Sequence, residues 1–150
     1  MGEKGLRGSA PTRIDDKGRL KVPTTFRGVI QDRHGADVFV TSVNGDCVRI
    51  YPLPVWLEIE ERLSKAPSVH PSHQKFLTRV SYWGQEAELD GQGRIVIPQK
   101  LRESASIRGE VRVFGRINHL EVWNEEQFAA KLASEPWTDE DALALAAFGI

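Results

Sequence analysis

The sequence IDDKGRLKVPTTFR at residues 14–27 recurs as LDGQGRIVIPQKLR at residues 89–102. Both stretches contain an aliphatic residue, Asp, Gly, Arg, a second aliphatic residue, Pro and a second Arg, at one constant offset of 75 positions. Seven matches at a single offset indicate a tandem duplication, so the repeated unit is where we look for function. The matched pairs are Ile14/Leu89, Asp15/Asp90, Gly18/Gly93, Arg19/Arg94, Val22/Ile97, Pro23/Pro98 and Arg27/Arg102.

The repeated unit predicts a strand, a hairpin turn, a second strand and a short helix. Asp accepts hydrogen bonds from backbone N–H groups two residues on, and Gly adopts positive φ, so Asp-x-x-Gly is typical of a tight turn. The residues from Arg19 to Val22 alternate between polar and apolar, which is the period of a half-buried strand. The following proline ends the strand and favours the first turn of a helix.

A second hairpin and a second helix follow in each half. The runs 37–41 and 47–51 flank Asn44-Gly45, and Asn-Gly between β-rich runs indicates a hairpin. Residues 110–114 and 119–123 form the corresponding pair, before a helix in which Asn124 and Gln127 have capping-box spacing. The sequence therefore predicts an α+β fold of tandem-duplicated units, with ββα followed by ββα in each half.

The repeat also suggests how the chain is divided. We assign residues 1–63 to the first half, 64–80 to a connecting segment with a short helix at 74–80, 81–133 to the second half, and 134–150 to an acidic and apolar C-terminal tail. The tail is either a solvated end or a weak helix over residues 139–148. Its apolar residues leave docking of a partner open.

The net charge of −1 excludes a uniformly basic nucleic-acid-binding protein, but the charge is unevenly distributed. Residues 1–33 carry +4, residues 34–120 carry +1 and residues 121–150 carry −6. A basic surface around the first repeat is therefore compatible with a nearly neutral chain. No stretch approaches the ~20 apolar residues of a membrane span, and no apolar leader is visible. With Cys47 as the lone cysteine, we expect a cytoplasmic protein.

The motifs of the common enzyme classes are missing from the sequence. It has no nucleophile elbow, no P-loop, no dinucleotide fingerprint and no paired cysteines, so we expect neither catalysis nor a cofactor. His70 and His73 lack a cysteine or carboxylate in a metal-binding pattern, so we expect no metal site. Cys47 is expected to be a small buried apolar residue. Trp56 and Trp123 are expected in the core or at a subunit interface.

The paired motifs resemble those of the MraZ family of bacterial transcriptional regulators, in the AbrB-like swapped-hairpin superfamily. The residues that carry the resemblance are Asp15-x-x-x-Arg19, Asp90-x-x-x-Arg94, Leu6-Arg7-Gly8, Tyr51-Pro52-x-x-x-Trp56 and Glu121-Val122-Trp123. The resemblance covers roughly residues 6–132. It implies a swapped-hairpin or double-psi-like β-barrel with short helices.

The resemblance also implies a function. It suggests a ring of identical subunits that binds double-stranded DNA at direct repeats upstream of a cell-division and cell-wall gene cluster, usually including its own gene. Such a repressor or regulator is expected in the cytoplasm, at the nucleoid, without a membrane or a small-molecule substrate as partner. The alternative is a ring-forming structural or adaptor protein that does not bind DNA.

The DNA-contacting residues are expected in the two repeated loops. The resemblance assigns this role to Asp15, Lys17, Arg19, Asp90 and Arg94, and the flanking cations Arg13 and Lys21 are further candidates. Because a carboxylate repels phosphate, we expect each Asp to orient its Arg rather than to bind DNA. A purely local Asp–Arg clamp is an open alternative, and the two roles are compatible.

We expect the first loop to dominate DNA binding. Lys17 stands in the first loop where Gln92 stands in the second, and phosphate attraction scales with the number of local cations. The acidic residues Glu86 and Glu88 precede the second loop. Arg94 is therefore expected to act mainly on folding or assembly.

Overall fold

The computed structural model describes residues 5–150, with Arg33 and His34 described by their backbone alone. Residues 1–4, which we assigned to the first half, lie outside the described residues. The strands are β1 (Ser9–Ile14), β2 (Arg19–Lys21), β3 (Asp37–Thr41), β4 (Val48–Pro52), β5 (Gln85–Glu88), β6 (Arg94–Val96), β7 (Gly109–Gly115) and β8 (Leu120–Asn124). The helices are α1 (Thr24–His34), α2 (Leu53–Lys65), α3 (Pro71–Trp83), α4 (Gln99–Ala105), α5 (Glu125–Ser134) and α6 (Asp139–Ala146). The predicted order, ββα followed by ββα in each half, is confirmed.

All eight strands form one antiparallel sheet in the order β5-β3-β4-β8-β7-β1-β2-β6. The two edge strands, β5 and β6, are consecutive in the chain and joined by a tight turn, so the sheet curves almost into a closed barrel. The first hairpin of each half pairs with strands of the other half: β1 with β7, β5 with β3, and β2 with β6. This exchange of hairpins confirms the predicted α+β swapped-hairpin fold.

The core lies inside this sheet and contains residues of both halves. Leu20 of β2 is paired with Ile95 of β6, and both side chains are fully buried. Phe26 of α1 and Leu101 of α4 pack into the same cluster, as the repeat predicted. Burying each such side chain contributes about 1.5–3 kcal/mol. Because the pairs β5–β3, β4–β8, β7–β1 and β2–β6 each join the two halves, neither half completes this core alone.

A second apolar cluster holds α2 and α3 against the outside of the sheet. Trp56 stacks on Phe39 with 4.6 Å between ring centroids, and Val80 of α3 is buried in the same cluster. The burial predicted for Trp56 and Trp123 is confirmed. These contacts attach α2 and α3 to β3 and β4.

The connecting helix is longer than the predicted segment 74–80. It runs over thirteen residues, from Pro71 to Trp83. The His70 side chain caps it, since the Ser72 N–H donates to His70 Nδ1 at 3.1 Å. Pro71 begins this helix, and proline fits the first helical turn because its missing N–H would have no partner there.

The hairpin predicted at Asn44-Gly45 is present, but its connection is wider than a two-residue turn. Residues 42–47 separate β3 from β4, and the Ser42 hydroxyl accepts from the Gly45 N–H and donates to the Cys47 carbonyl. A side chain at Gly45 would meet the Trp83 ring at 2.6 Å, so the loop is shaped by its contact with α3. Cys47 is buried as expected, although it lies just before β4 rather than within it.

The tail forms the helix α6, which begins at the predicted residue and ends two residues earlier than predicted. Among the helices of residues 5–150, none combines the length and hydropathy needed to cross a membrane. The boundaries that we assigned to the halves stay a prediction, since the shared sheet joins both halves.

Candidate nucleic-acid interface

The first Asp-x-x-x-Arg motif forms the turn between β1 and β2. Asp15 Oδ1 accepts from the backbone N–H groups of Lys17 and Arg19 at 3.0 and 2.8 Å, and Oδ2 accepts from Arg19 Nε at 2.7 Å. Gly18 has φ of 82°, a conformation that glycine adopts without steric cost. One carboxylate therefore holds both the turn and the arginine that follows it.

The second motif repeats this geometry between β5 and β6. Asp90 Oδ1 accepts from the N–H groups of Gln92 and Arg94 at 2.8 and 2.9 Å, and Oδ2 accepts from Arg94 Nε at 3.0 Å. The hydrogen bond from the Arg94 backbone is the largest influence that lowers the pKa of Asp90, and the one from the Arg19 backbone does the same for the pKa of Asp15. Both carboxylates are therefore ionised at neutral pH.

The predicted Asp–Arg clamp exists in both loops and leaves each guanidinium available. The side chains of Arg19 and Arg94 are 35% and 28% exposed. Each is held through Nε, and within residues 5–150 their Nη groups have no recorded protein acceptor. A guanidinium fixed in this way presents a pre-oriented pair of donors, which suits a phosphate or the edge of a guanine.

The two motifs share one surface because β2 pairs with β6. Lys21 lies opposite Arg94, and Arg19 lies opposite Val96, which is 48% exposed. The middle residue of each strand is buried, so alternation turns these four side chains outward. We call this set the β2–β6 ribbon: Arg19, Lys21, Arg94 and Val96.

Lys21 flanks the first loop in the chain, and its side chain contacts the second loop. Its Nζ donates to the Gln92 carbonyl at 2.9 Å. The antiparallel pairing brings the end of β2 beside the start of β6, and this pairing is not visible in the sequence. The first loop thus has Lys17 and Arg19, whereas the second has Arg94 and Lys21. The number of cations no longer distinguishes the two loops.

The flanks of the loops differ in charge. Arg13 of β1 pairs with Glu110 at 3.2 Å, and both side chains are largely exposed, so this ion pair contributes little energy. At the corresponding place beside the second loop, Glu88 lies directly opposite Asp37. Two carboxylates side by side repel each other and also repel phosphate. The surroundings of the second loop are therefore more acidic.

Two further arginines support the loops, and the sequence did not reveal this role. Arg27 Nη2 donates to the Gly91 carbonyl at 3.0 Å, so α1 supports the loop of the second half. Arg102 packs under the first loop, where a Cβ added at Gly18 would lie 2.7 Å from its Cζ. Both arginines were visible in the repeated motif, but a repeat does not show that each contacts the other half.

Comparison with known proteins gives an independent result. A sequence model of the MraZ family, described as "MraZ protein, putative antitoxin-like", matches residues 6–79 and again residues 84–147. Each match contains one Asp-x-x-x-Arg motif, so the same family model matches both copies of the duplicated unit.

Several named relatives are similar over most of their length. The "Transcriptional regulator MraZ" of Koribacter versatilis is 48% identical over 146 residues, which cover 97% of this chain and 99% of the relative. That of Acidobacterium capsulatum is 47% identical over 145 residues, with the same coverage. That of Syntrophobacter fumaroxidans is 37% identical over 132 residues, covering 88% of this chain and 87% of the relative.

Proposed function

The chain belongs to the MraZ family, and on that premise we propose that it is a DNA-binding transcriptional regulator. Its relatives are named transcriptional regulators, which favours a role on DNA over an enzymatic one. The observation that carries the proposal is the β2–β6 ribbon, where two copies of one Asp-held arginine meet on a single outward surface with Lys21 between them.

The ribbon has the shape and chemistry for major-groove contact. The major groove of B-DNA admits a two-stranded β-ribbon, and an arginine fork matches O6 and N7 of guanine. Arg19 and Arg94 are the base-contacting candidates, while Lys17, Lys21 and Arg13 are candidates for phosphate contact. Asp15 and Asp90 orient the arginines and do not themselves bind DNA. Val96 offers an apolar contact to a thymine methyl group.

Both loops contribute to binding in this proposal. Lys21 supplies the second loop with the cation that Gln92 lacks, so the difference in cation number no longer supports a role for Arg94 mainly in folding or assembly. The carboxylates of Asp37 and Glu88 keep the second loop the weaker of the two. Removing either arginine should therefore reduce affinity, with the larger effect at Arg19.

We further propose that the target is a set of direct repeats upstream of the protein's own gene, in a cell-division and cell-wall gene cluster that it represses. The protein then acts in the cytoplasm, at the nucleoid. A homo-oligomer, expected to be a ring, presents one ribbon per subunit, so that several weak contacts act together. The proposal includes no catalytic step and no cofactor.

A binding assay with the upstream DNA tests this function. We expect the protein to retard a fragment from upstream of its own gene at concentrations where a scrambled fragment of equal length stays free. A protein that assembles but binds both fragments equally weakly would instead fit the adaptor role. The observation that favours this second role is the set of exposed apolar residues on the C-terminal helix, which could bind a partner.

A further inference from the structure

The backbone of the β2–β6 ribbon has an internal two-fold axis that relates the two copies of the repeat. The register pairs Leu20 with Ile95, which stand at equivalent positions 75 residues apart, so the axis passes between these two residues. Beyond the strands, the residue before each proline donates its N–H to the turn glycine of the other copy, at 2.9 Å in Val22–Gly93 and at 2.8 Å in Ile97–Gly18. A rotation of 180° about this axis therefore exchanges the two copies and presents the same backbone to DNA.

The outward side chains of the ribbon break this symmetry at one position. Arg19 and Arg94 are equivalent and preserve it. Lys21 and Val96 are also equivalent, at the same offset of 75, but one is a cation and the other an aliphatic residue. Both are exposed, and the two strands have the same burial pattern, so only the chemistry of the side chain differs. The two ends of the ribbon are therefore distinguishable to DNA.

The register gives each end of the ribbon its own pair of side chains. Val96 lies opposite Arg19, whereas Lys21 lies opposite Arg94 and donates to the Gln92 carbonyl at 2.9 Å. Side chains directly opposite each other have Cβ atoms about 4.5–5.5 Å apart, and successive base pairs are about 3.4 Å apart. The two side chains of one end thus reach the same base pair or adjacent ones. One end offers a guanidinium with an apolar group, and the other offers a guanidinium with an ammonium.

The apolar group at the first end is available for contact. Val96 is 48% exposed, and among the described residues it belongs to neither apolar cluster of the fold. The C5-methyl group of thymine is the apolar feature that a base pair presents in the major groove. An exposed valine between charged side chains on a DNA-facing surface matches this group, and a lysine at the same position does not.

We propose that Val96 and Lys21 fix the direction in which the ribbon lies on DNA. Val96 contacts the methyl group of a thymine beside the guanine that Arg19 contacts, and Lys21 contacts phosphate at the other end. With one residue type at both positions, the ribbon would make the same base contacts in either direction, as two-fold symmetric proteins do on palindromic operators. A ribbon with a fixed direction suits direct repeats, which all point one way. This inference rests on the proposed function and identifies the residues that set the direction.

The other differences between the two ends do not set the direction. Lys17 in the first loop corresponds to Gln92 in the second, and Glu88 lies opposite Asp37 beside the second loop. These residues act on phosphates, and phosphate contacts carry no sequence information. The two strands of a duplex run in opposite directions, so its phosphates look the same after the ribbon is turned round. Only a contact to a base distinguishes the two directions.

Replacing thymine by deoxyuridine tests the methyl contact, because the change removes only the C5-methyl group. One thymine position at a time is changed in every repeat of the upstream DNA, and the affinities of wild type, Val96→Lys and Lys21→Val are measured. At one position we expect wild type to lose about fourfold in affinity per repeat, as for one methyl group returned to water. Val96→Lys should be insensitive there, whereas Lys21→Val retains Val96 and should stay sensitive.

The substitution Val96→Lys is matched to the fold, since lysine is the residue at the equivalent strand position of the first copy. The oligomer mass of each variant is recorded beside its affinity. Wild type that is insensitive at every thymine would overturn the proposal, and so would a Val96→Lys variant that is as sensitive as wild type.

Site-directed cleavage tests the direction itself. Asp16 and Gly91 are equivalent, exposed residues of the two loops, and each is replaced by cysteine and coupled to iron–EDTA, which cuts nearby DNA when ascorbate and peroxide are added. Because Cys47 is buried, wild type treated in the same way is the control. We expect each probe to cut one end of every repeat, with opposite ends for the two probes. In the Val96→Lys background each probe should cut both ends.

The cleavage result and the proposed function fail separately. If wild type does not distinguish the upstream DNA from scrambled DNA, the function is wrong and the fixed direction falls with it. If wild type binds that DNA selectively but each probe cuts both ends of the repeats, the direction is wrong and the function stands. Cutting at one end that persists in Val96→Lys would also overturn the role of Val96 and Lys21.

Discussion

Asp15 and Asp90 hold their arginines with matching sets of three hydrogen bonds, although the residues between them differ in the two loops. In each loop the carboxylate fixes the backbone turn and the Nε of the arginine together. A bond through Nε restrains the guanidinium without occupying its outer donors. At the scale of single residues, the molecule therefore presents two arginines that are oriented by its own carboxylates, as the proposed contact with DNA requires.

Replacing Asp15 by Asn should separate specificity from general affinity. Asp15→Asn keeps the shape of the side chain but weakens the bond to Arg19 Nε, so binding to the upstream repeats should fall. Loss of a negative charge should at the same time leave binding to scrambled DNA unchanged or stronger. Titrations of both fragments at one salt concentration give the ratio of the affinity for the upstream repeats to the affinity for scrambled DNA. An equal change for both fragments would show that Asp15 does not orient a base-contacting group.

Sequence reasoning succeeded where the interactions are local. The turn from Asp15 to Gly18 and the strand at 37–41 were predicted because neighbouring residues determine them. The position of Lys21 and the supporting role of Arg27 were missed, because both depend on contacts with the other half. Periodicity shows that a segment is a strand, but it does not show which strand lies beside it.

At the scale of elements, β2 and β6 are only three residues long, so the ribbon depends on the turns that precede it. Gly18 and Gly93 have positive φ and pack against Arg102 and Arg27, respectively. Each turn is thus supported by a helix of the other half. Changes at these glycines should affect the whole ribbon.

Gly18→Ala should destabilise the fold. At φ of 82° an alanine is strained, and its Cβ would lie 2.7 Å from the Arg102 guanidinium, so we expect a loss of about 1–3 kcal/mol in the free energy of unfolding. Gly91→Ala is the matched control, since its Cβ would meet nothing within 4 Å, and we expect a change within about 0.5 kcal/mol. Urea denaturation measures the free energy of unfolding of both variants. Equal stability of the two variants would contradict the role of this turn.

The pair β4–β8, where the second hairpins of the two halves meet, contains a buried carboxylate. Glu121 accepts from Trp123 Nε1 at 2.9 Å and from Arg116 Nη2 at 3.3 Å, and its side chain is 11% exposed. Burial raises its pKa, but hydrogen bonds with His119 and Trp123 and the charges of Arg116 and Arg49 outweigh burial and lower the pKa to about 2. The ionised form therefore stabilises this junction.

Acid should remove that stabilisation. Because the folded pKa lies below the ordinary value of 4.5, the contribution is fully present above about pH 4.5 and is lost as the pH falls towards 2. It amounts to roughly 3 kcal/mol. Urea denaturation at each pH measures the free energy of unfolding of wild type and of Glu121→Gln. The difference between the two should be constant from pH 7 to 5 and should shrink at pH 3. A difference that is independent of pH would contradict the assignment.

At the scale of the whole molecule, the two halves form one sheet, and the β2–β6 ribbon is the basic surface proposed for DNA. One ribbon offers few cations, so a single subunit should bind weakly. Assembly converts these weak contacts into a strong one through effective concentration.

Avidity makes a quantitative prediction about the number of repeats. DNA with several upstream repeats should bind about 10²–10⁴-fold more tightly than DNA of equal length with one repeat. Randomising the other repeats while keeping the length provides the control for non-specific contacts. Fluorescence anisotropy at physiological salt measures both affinities. Equal affinity for the two fragments would show that the subunits do not act together on DNA.

The central claim is that the two Asp-held arginines of the ribbon contact the upstream DNA. The most direct test is the affinity of Arg19→Ala, Arg94→Ala and Lys131→Ala for that DNA, with the oligomer mass recorded for each. Lys131 lies on α5. Its replacement by Ala removes the same single positive charge, so this variant controls for the change in charge alone. We predict that each arginine variant weakens binding by about 1–3 kcal/mol per subunit in an intact oligomer, while Lys131→Ala binds like wild type. Wild-type affinity in both arginine variants would contradict the claim.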